Sequence, residues 1–392
     1  MRTVYCDHAA TTRCHPEVAR LMYEYLVNDF GNPSSIHMFG RRARKGVEEA
    51  RQQVAALIGA SPKEIFFTSG GTEADNWAFR GTVTANQSKG KHIILTPYEH
   101  HAVLDVAEAL GREGYDVTYL PLQPGTGLVD PDALVAAMRP DTVLISIMYV
   151  NNEIGTVEDI KALCAAAKAK DPEVVFHTDA VQAAGMVPID VGELGVDLMT
   201  ISSHKIYGPK GIGALYVRKG FKFNPMQLGG GQERKMRSGT ENVPGIIGFG
   251  KAAELARLEF DARVAHAREM RDRFLKGVLA IPGVHLNGID PFREPEKRHP
   301  GNANVSIEGV PGDAMLMRLD MAGIAASSGS ACTSGTLEPS HVLQAVGCSR
   351  ELAASSLRFS FGQENTAEDI DYVVAEFERS VNYLRELAAR KS

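Results

Sequence analysis

Seven short, near-continuous apolar runs interleaved with helical patterns constrain this chain more than any other feature: EIFFT at 64–68, HIILT at 92–96, VTYL at 117–120, VLISIMYV at 143–150, VVFHTD at 174–179, DLMTIS at 197–202 and GALYVR at 213–218. Most lack polar alternation, which is how strands covered on both faces read. Helix signals stand between them. Asp130 is placed as an N-cap before Pro131 at the first helical position, and Thr156 with Asp159 three residues on reads as a capping box. The expectation is an α/β fold whose sheet lies between helices, with ligands gathering beyond the carboxyl ends of the strands.

At 392 residues the chain is too long for one small domain and suggests two. After about residue 250 the texture shifts to a long charged helix, KAAELARLEFDARVAHAREMRDRFLKGVLA, followed by short strands such as NANVSIEG and SLRFSFG with helices between them. The division expected is a large domain over 15–258 and a smaller α+β domain over 259–392, joined by residues 1–14. A net charge of −6 offers no basic footprint for nucleic acid. MRTVYCDHAATT carries no apolar signal core, and no window approaches the roughly 18 apolar residues of a membrane span, so a cytoplasmic protein is expected. The five cysteines, Cys6, Cys14, Cys164, Cys332 and Cys348, are odd in number and form no CxxC pair, which argues against a disulfide framework or zinc knuckle.

Several motifs fall at the expected strand ends. FTSGGTEADN at 67–76 puts Gly70, Gly71 and Thr72 between a strand and a helix, where backbone N–H groups and the helix dipole suit a phosphate; a tight turn would also want these glycines. In EHHAVLD, His100 or His101 can stack on a flat ring or relay a proton, and a metal pair is the weaker alternative because neighbours do not share a helical face. NNEIGT offers Asn151 and Asn152 either as turn-formers or as donors to a ligand oxygen. Asp179 in FHTDAVQ and Lys205 in ISSHKIYGPKGIG form the most telling pair. A buried carboxylate can keep a pyridine nitrogen protonated and a lysine amine can hold an aldehyde as a Schiff base, the needs of pyridoxal phosphate. Ser202, Ser203 and His204 can donate to its phosphate.

Three further segments add candidates. GGGQERKMRSGTENVP at 229–244 brings Arg237, Ser238 and Thr240 toward an anion, or is simply a mobile loop. AASSGSACTSGTLEPSH at 325–341 sets Cys332 among small polar residues, unlike Cys164, which shares an apolar helical stripe with Ile160 and Ala167. Such a loop suits a thiol that moves between a pocket and the outside. Arg358, inside SLRFSFG, suits either a carboxylate ligand or a structural ion pair.

Taken in order, DHAATT, FGNPSSIH, FTSGGTEADN, EHHAVLD, NNEIGT, FHTDAVQ, SSHKIYGPKGIGALYVR, GGGQE, RSGTENV, SSGSACTSGTLEPSHVL and SSLRFSFG resemble the cysteine desulfurases of the NifS/IscS type, over nearly the whole chain. The resemblance implies a homodimeric, fold-type-I pyridoxal phosphate enzyme, with a mostly parallel seven-stranded sheet, that converts L-cysteine to L-alanine and carries the sulfur as a persulfide. It implies that Lys205 bonds the cofactor, Asp179 pairs with the ring nitrogen, Gln182 and Asn152 address the phenol oxygen and substrate, and His100 stacks on the ring. Gly71, Thr72, Ser202, Ser203 and His204 match the phosphate set, with Thr240 reaching the phosphate in the partner subunit. Arg358 matches the substrate-carboxylate residue and Cys332 the persulfide carrier. The implied partner is a sulfur acceptor such as an iron–sulfur scaffold protein, on which Cys332 could transiently ligate a cluster; no resident metal is implied. His101 stands where many members have lysine. The alternatives are another fold-type-I enzyme, a selenocysteine lyase or aminotransferase, which needs no mobile thiol, and a non-catalytic platform for iron–sulfur assembly.

Overall fold

The structure, a computed structural model, describes residues 2–328 and 339–390. Its strands are β1 (Val4–Tyr5), β2 (Ile65–Thr68), β3 (His92–Leu95), β4 (Asp116–Tyr119), β5 (Thr142–Ser146), β6 (Val175–Asp179), β7 (Leu198–Ser202), β8 (Gly213–Val217), β9 (Val284–Leu286), β10 (Asn302–Ile307), β11 (Ile324–Ala325) and β12 (Ser356–Ser360). Seven of them form one sheet in the order β2-β8-β7-β6-β5-β3-β4, in which β8 alone runs against its neighbours. The fold is therefore α/β with a mostly parallel central sheet. Strands β2, β3, β5, β6, β7 and β8 are buried along their whole length, the outcome that continuous apolar runs dictate. Only β4, at the sheet edge, is part-exposed.

Helices α1 (Pro16–Val27), α2 (Met38–Leu57), α3 (Gly71–Ala85), α4 (His101–Arg112), α5 (Pro131–Ala137), α6 (Ile160–Lys170), α7 (Val191–Leu194) and α8 (Val243–Leu258) accompany this sheet. Separate apolar clusters cover its faces, one gathering Val47, Val54, Ile145, Phe176 and Phe249, the other Trp77, Phe79, Val103, Leu144 and Leu215. Asp130 caps α5 as expected, its carboxylate accepting from Asp132 N with Pro131 in the first turn. The capping box at 156–159 does not form. Asp159 caps α6 by itself through Ala162 N, and the buried Thr156 hydroxyl donates to Thr126 O at 2.5 Å, a partner that sequence spacing cannot reveal.

A second, three-stranded antiparallel sheet, β12-β10-β9, has its own apolar core around Phe274, Val305, Phe359 and Phe377. The charged helix expected over 251–280 is instead two helices, α8 and α9 (Phe260–Val278), which part at Glu259 (φ −103°, ψ 11°). No glycine or proline marks the break; the Glu259 carboxylate holds Arg263 and Gln363 there. The amino-terminal segment reaches the small-sheet side as well: β1 pairs with β11, and Val4 and Cys6 join its core. The same segment then crosses to the large sheet, where Thr12 N donates to His204 O at 2.9 Å.

Candidate active site

The carboxyl ends of β6 and β7 are adjacent and in register, Asp179 opposite Thr200. Asp179 closes β6, Ser202 closes β7, and Ser203–Lys205 forms a single 3₁₀ turn immediately after. Asp179 is buried, and one carboxylate oxygen accepts from Val181 N at 2.8 Å. Burial pushes its carboxyl above the usual range, with Val181 N–H and the charge of Lys205 opposing that shift. The Lys205 amine donates to Ala10 O at 2.8 Å and to Ala9 O. Gln182 Nε2 donates to the same Ala9 carbonyl at 2.9 Å. The amino-terminal segment therefore meets two of the sequence candidates, Lys205 and Gln182, at one point.

At the end of β2 the chain turns through Gly70 (φ +155°) into α3. A side chain would be strained at Gly70, and at Gly71 a Cβ would press to 3.0 Å of Val181 Cγ2, with Thr200 Cγ2 at 3.7 Å and Ser202 Cβ at 3.9 Å. No side chain caps the α3 amino terminus, so its leading N–H groups keep their donor capacity. An uncapped helix start beside the Ser202 hydroxyl, the exposed Thr72 and an ammonium is a donor set that suits a phosphate ester. His204 lies against Thr11, Nδ1 to Oγ1 3.1 Å, and burial together with Lys205 pulls it down to about 4, so it offers hydrogen bonds rather than charge. Ser203 Oγ lies against Gly208, where an added Cβ would fall 2.0 Å from it and 3.0 Å from Ala252 Cβ, and it has no hydrogen-bond partner among the described residues.

The two adjacent histidines separate clearly. His100 is the N-cap of α4, its Nδ1 accepting from Ala102 N at 3.1 Å, which leaves the proton on Nε2. Burial and Lys205 pull it down to about 4. His101 is part-exposed, 3.3 Å from Asp105, with its ring 5.0 Å from that of His341. Among the described residues no cluster of metal ligands occurs. The neighbouring asparagines differ as well. Asn151 builds the turn, accepting from Glu153 N and Ile154 N and donating to Tyr98 O, whereas the Asn152 side chain makes no hydrogen bond among the described residues.

Arg358, in the middle of β12, is 3% exposed. One guanidinium nitrogen donates to Asn152 O at 3.0 Å, another to Asp7 Oδ1 at 2.9 Å, and its buried Nε has no partner among the described residues. Ser327 bridges to it through the backbone in both directions. Thr240 is exposed on a segment braced against α3 by Arg237, which grips Glu73 at 2.7 and 3.0 Å. It makes no hydrogen bond to the other candidates among the described residues. Cys332 lies outside the described residues. The chain resumes at Pro339, after which Ser340 Oγ donates to the buried Glu153 carboxyl at 2.5 Å and His341 Nε2 meets Glu99 O at 3.1 Å.

Sequence reasoning passed over Asp7, Asp75, Glu99 and Glu153, all close to these residues. Burial lifts Glu99 to about 8 and Glu153 to about 7. Their signal, a carboxylate beside an already suspect histidine or asparagine, was present but reads equally as a solvated turn.

The description of the class-V aminotransferases matches residues 4–373. A protein of Dictyoglomus turgidum described as cysteine desulfurase IscS is 51% identical over 391 residues, covering 100% of this chain and 97% of that protein. One of Methanosarcina thermophila with the same description is 49% identical over 387 residues, covering 99% and 94%. A solved structure described as a NifS-like protein superposes with a TM-score of 0.91 at 36% identity, covering 97% of this chain and all of the other.

Proposed function

The chain belongs to the class-V aminotransferase family, and from that premise, with relatives near half identity described as cysteine desulfurases, we propose that it is a pyridoxal-phosphate-dependent enzyme converting L-cysteine to L-alanine, its sulfur passing to Cys332. The observation that carries the reading is the meeting of Asp179, Lys205, Gln182 and the uncapped α3 start at one edge of the sheet.

These residues fit the cofactor. Gly71, Thr72, Ser202 and His204 would hold its phosphate, Asp179 its ring nitrogen, Gln182 its phenol oxygen, and Lys205 its aldehyde carbon, with His100 against the ring. Ser203, whose buried hydroxyl has no partner among the described residues, belongs to the proposed phosphate set with Gly71, Thr72, Ser202 and His204. Bound there, pyridoxal phosphate supplies an electron sink for negative charge developing at the substrate α-carbon. Arg358 orients the substrate by its carboxylate, exchanging the Asp7 or Asn152 contact for it, and Asn152 supplies a side-chain amide. Lys205 moves the proton at the α-carbon, its amine held until then by two backbone carbonyls. Neutral His100 can pass a proton without adding charge. The Cys332 thiolate attacks the substrate sulfur, the carbon–sulfur bond breaks, the carbon is reprotonated to alanine, and Cys332 retains the extra sulfur as a persulfide.

We take residues 15–258 as the large domain and the remainder as the small one, and propose a homodimer in which Thr240 reaches the partner's phosphate site. The sulfur acceptor is an iron–sulfur scaffold protein. No helix among the described residues is long and apolar enough to cross a membrane; a cytoplasmic location is part of this proposal. The test is to supply pyridoxal phosphate and sulfur-labelled L-cysteine, then measure alanine and protein-bound sulfur. Cys332→Ser should keep the cofactor absorbance and accumulate no persulfide; normal sulfur delivery by that variant refutes the assignment.

A further inference from the structure

Behind Asp179 lies a second acid that the mechanism does not use. Asp75 sits one turn into α3, is 1% exposed, and has one carboxylate oxygen with no hydrogen-bond partner among the described residues. A line of polar groups, each 0% exposed, runs away from it through the sheet. His177 Nε2 is 3.6 Å from Asp75 Oδ1 and 3.1 Å from Thr200 Oγ1, and His177 Nδ1 is 2.9 Å from Ser146 Oγ. The charged and titratable groups facing Asp75 are His177 and Asp179 on β6 and Glu99 before α4; Lys205 acts on it through Asp179. Asp179 follows His177 by two residues on β6, hence lies on the same face of the strand, and stands opposite Thr200. The two acids are therefore buried over one face of the sheet, where they do not both ionise because the second charge would meet no water.

The surroundings decide which one keeps the proton. Asp179 has the Val181 N–H and the nearby charge of Lys205 to stabilise an anion. Asp75 has one oxygen without a partner among the described residues, a Thr200 hydrogen bond that opposes burial only in part, and a histidine that burial keeps neutral, pulled down to about 3. Burial first, and Asp179 next, push the Asp75 carboxyl well above the usual range.

We propose that Asp75 is a positioning residue for Asp179: it is the proton-bearing member of a buried carboxyl pair, and by holding that proton it keeps Asp179 the ionised member, so that one negative charge faces the ring nitrogen. This rests on the reading of Asp179 as the ring partner. Because α3 also begins at the phosphate cradle, a single helix then sets both the phosphate end of the cofactor and the charge at its ring.

Difference infrared spectroscopy of the full chain, with and without pyridoxal phosphate, tests the assignment. Buried Glu99 and Glu153 also hold protons near neutral pH, so of the several protonated-carboxyl stretches present one component should be lost in Asp75→Asn and none in Asp179→Asn. Asp75→Asn, which imitates the protonated acid, should bind pyridoxal phosphate within about threefold of the native chain and show the same absorbance titration. Asp75→Ala should bind it about tenfold more weakly and shift the pH at which the bound ring titrates, a shift that asparagine repairs and a purely structural role would not produce. An unchanged set of protonated-carboxyl components in Asp75→Asn, or a displaced titration in that variant, overturns the proposal. Should Asp179→Asn leave cofactor affinity and absorbance untouched, the ring-partner reading fails and the proposed link to the ring with it, while the infrared result still locates the proton.

Discussion

Asp179 and Ser202 reach the site on strand ends whose backbone is satisfied within the seven-stranded sheet, whereas Arg358 reaches it from the three-stranded sheet and is held by groups remote in sequence, Asp7 and the Asn152 carbonyl. The first arrangement depends on packing around a frame that apolar strands build for themselves. The second depends on a few buried polar contacts, each of which joins one sheet to the other or to the amino-terminal segment. Ser340 on Glu153 and Thr12 on His204 are of the same kind. On the proposed roles, the contrast makes cofactor binding and substrate capture separable in this molecule, since Asp179 and Ser202 serve the one and Arg358 the other.

The largest effect falls on the cofactor side. Lys205→Ala should lower the rate of alanine formation by about 10⁴-fold or more, because the group that moves the α-carbon proton is gone. Circular dichroism should stay native, for the lysine lies at a strand end rather than in the core. On the substrate side, Arg358→Lys should raise KM for cysteine about 100-fold while leaving pyridoxal phosphate affinity unchanged. A lysine is a point donor and cannot span Asp7 and Asn152 as the planar guanidinium does. A parallel fall in cofactor affinity would break the separation of the two halves.

Glu153 sharpens the same contrast through pH. Burial raises its carboxyl to about 7, against the pull of Ser340 and Arg358. The folded state therefore holds a proton that the unfolded chain releases near 4.5, the group's ordinary value. Its contribution to stability is fully present below that value and is lost as pH rises through about 7. Thermal unfolding of Glu153→Gln should show this decline flattened by roughly 2 kcal/mol across that window. An unchanged slope would place the proton elsewhere.

How much of this was legible in the sequence follows from the same division. Continuous apolar runs disclosed the central sheet, and the glycines and lysine behind the proposed cofactor side were legible at its strand ends, because those features are local. Asp75 was not legible: an acid early in a helix ordinarily complements the dipole and faces water. Only the packing of α3 over β6 and β7 buries it. Thr156 misled for a related reason, its hydroxyl being claimed by Thr126 across a turn. The break at Glu259 lacks the residues that usually end a helix and is set by tertiary partners, Arg263 and Gln363. Ser203 and Ser202 look equivalent in sequence, yet Ser202 ends β7 near Gly71 while Ser203 packs against Gly208.

The asparagine pair provides the smallest and finest test, because adjacent identical residues have unlike duties. Asn151 ties Tyr98 O to the Glu153 and Ile154 amides, all buried, so Asn151→Ala should cost about 1 kcal/mol of stability, the worth of a lost cap, and disturb substrate binding only through the turn it shapes. Asn152→Ala removes a side chain that bonds to nothing among the described residues. Its stability should stay within about 0.5 kcal/mol of native, while kcat/KM for cysteine falls about fivefold, the loss of one neutral hydrogen bond to a ligand. Denaturant unfolding and steady-state kinetics on both variants separate the two effects. If Asn152→Ala instead unfolds early with unaltered kinetics, the amide serves the turn, and the substrate half of the site rests on Arg358 without its neighbour.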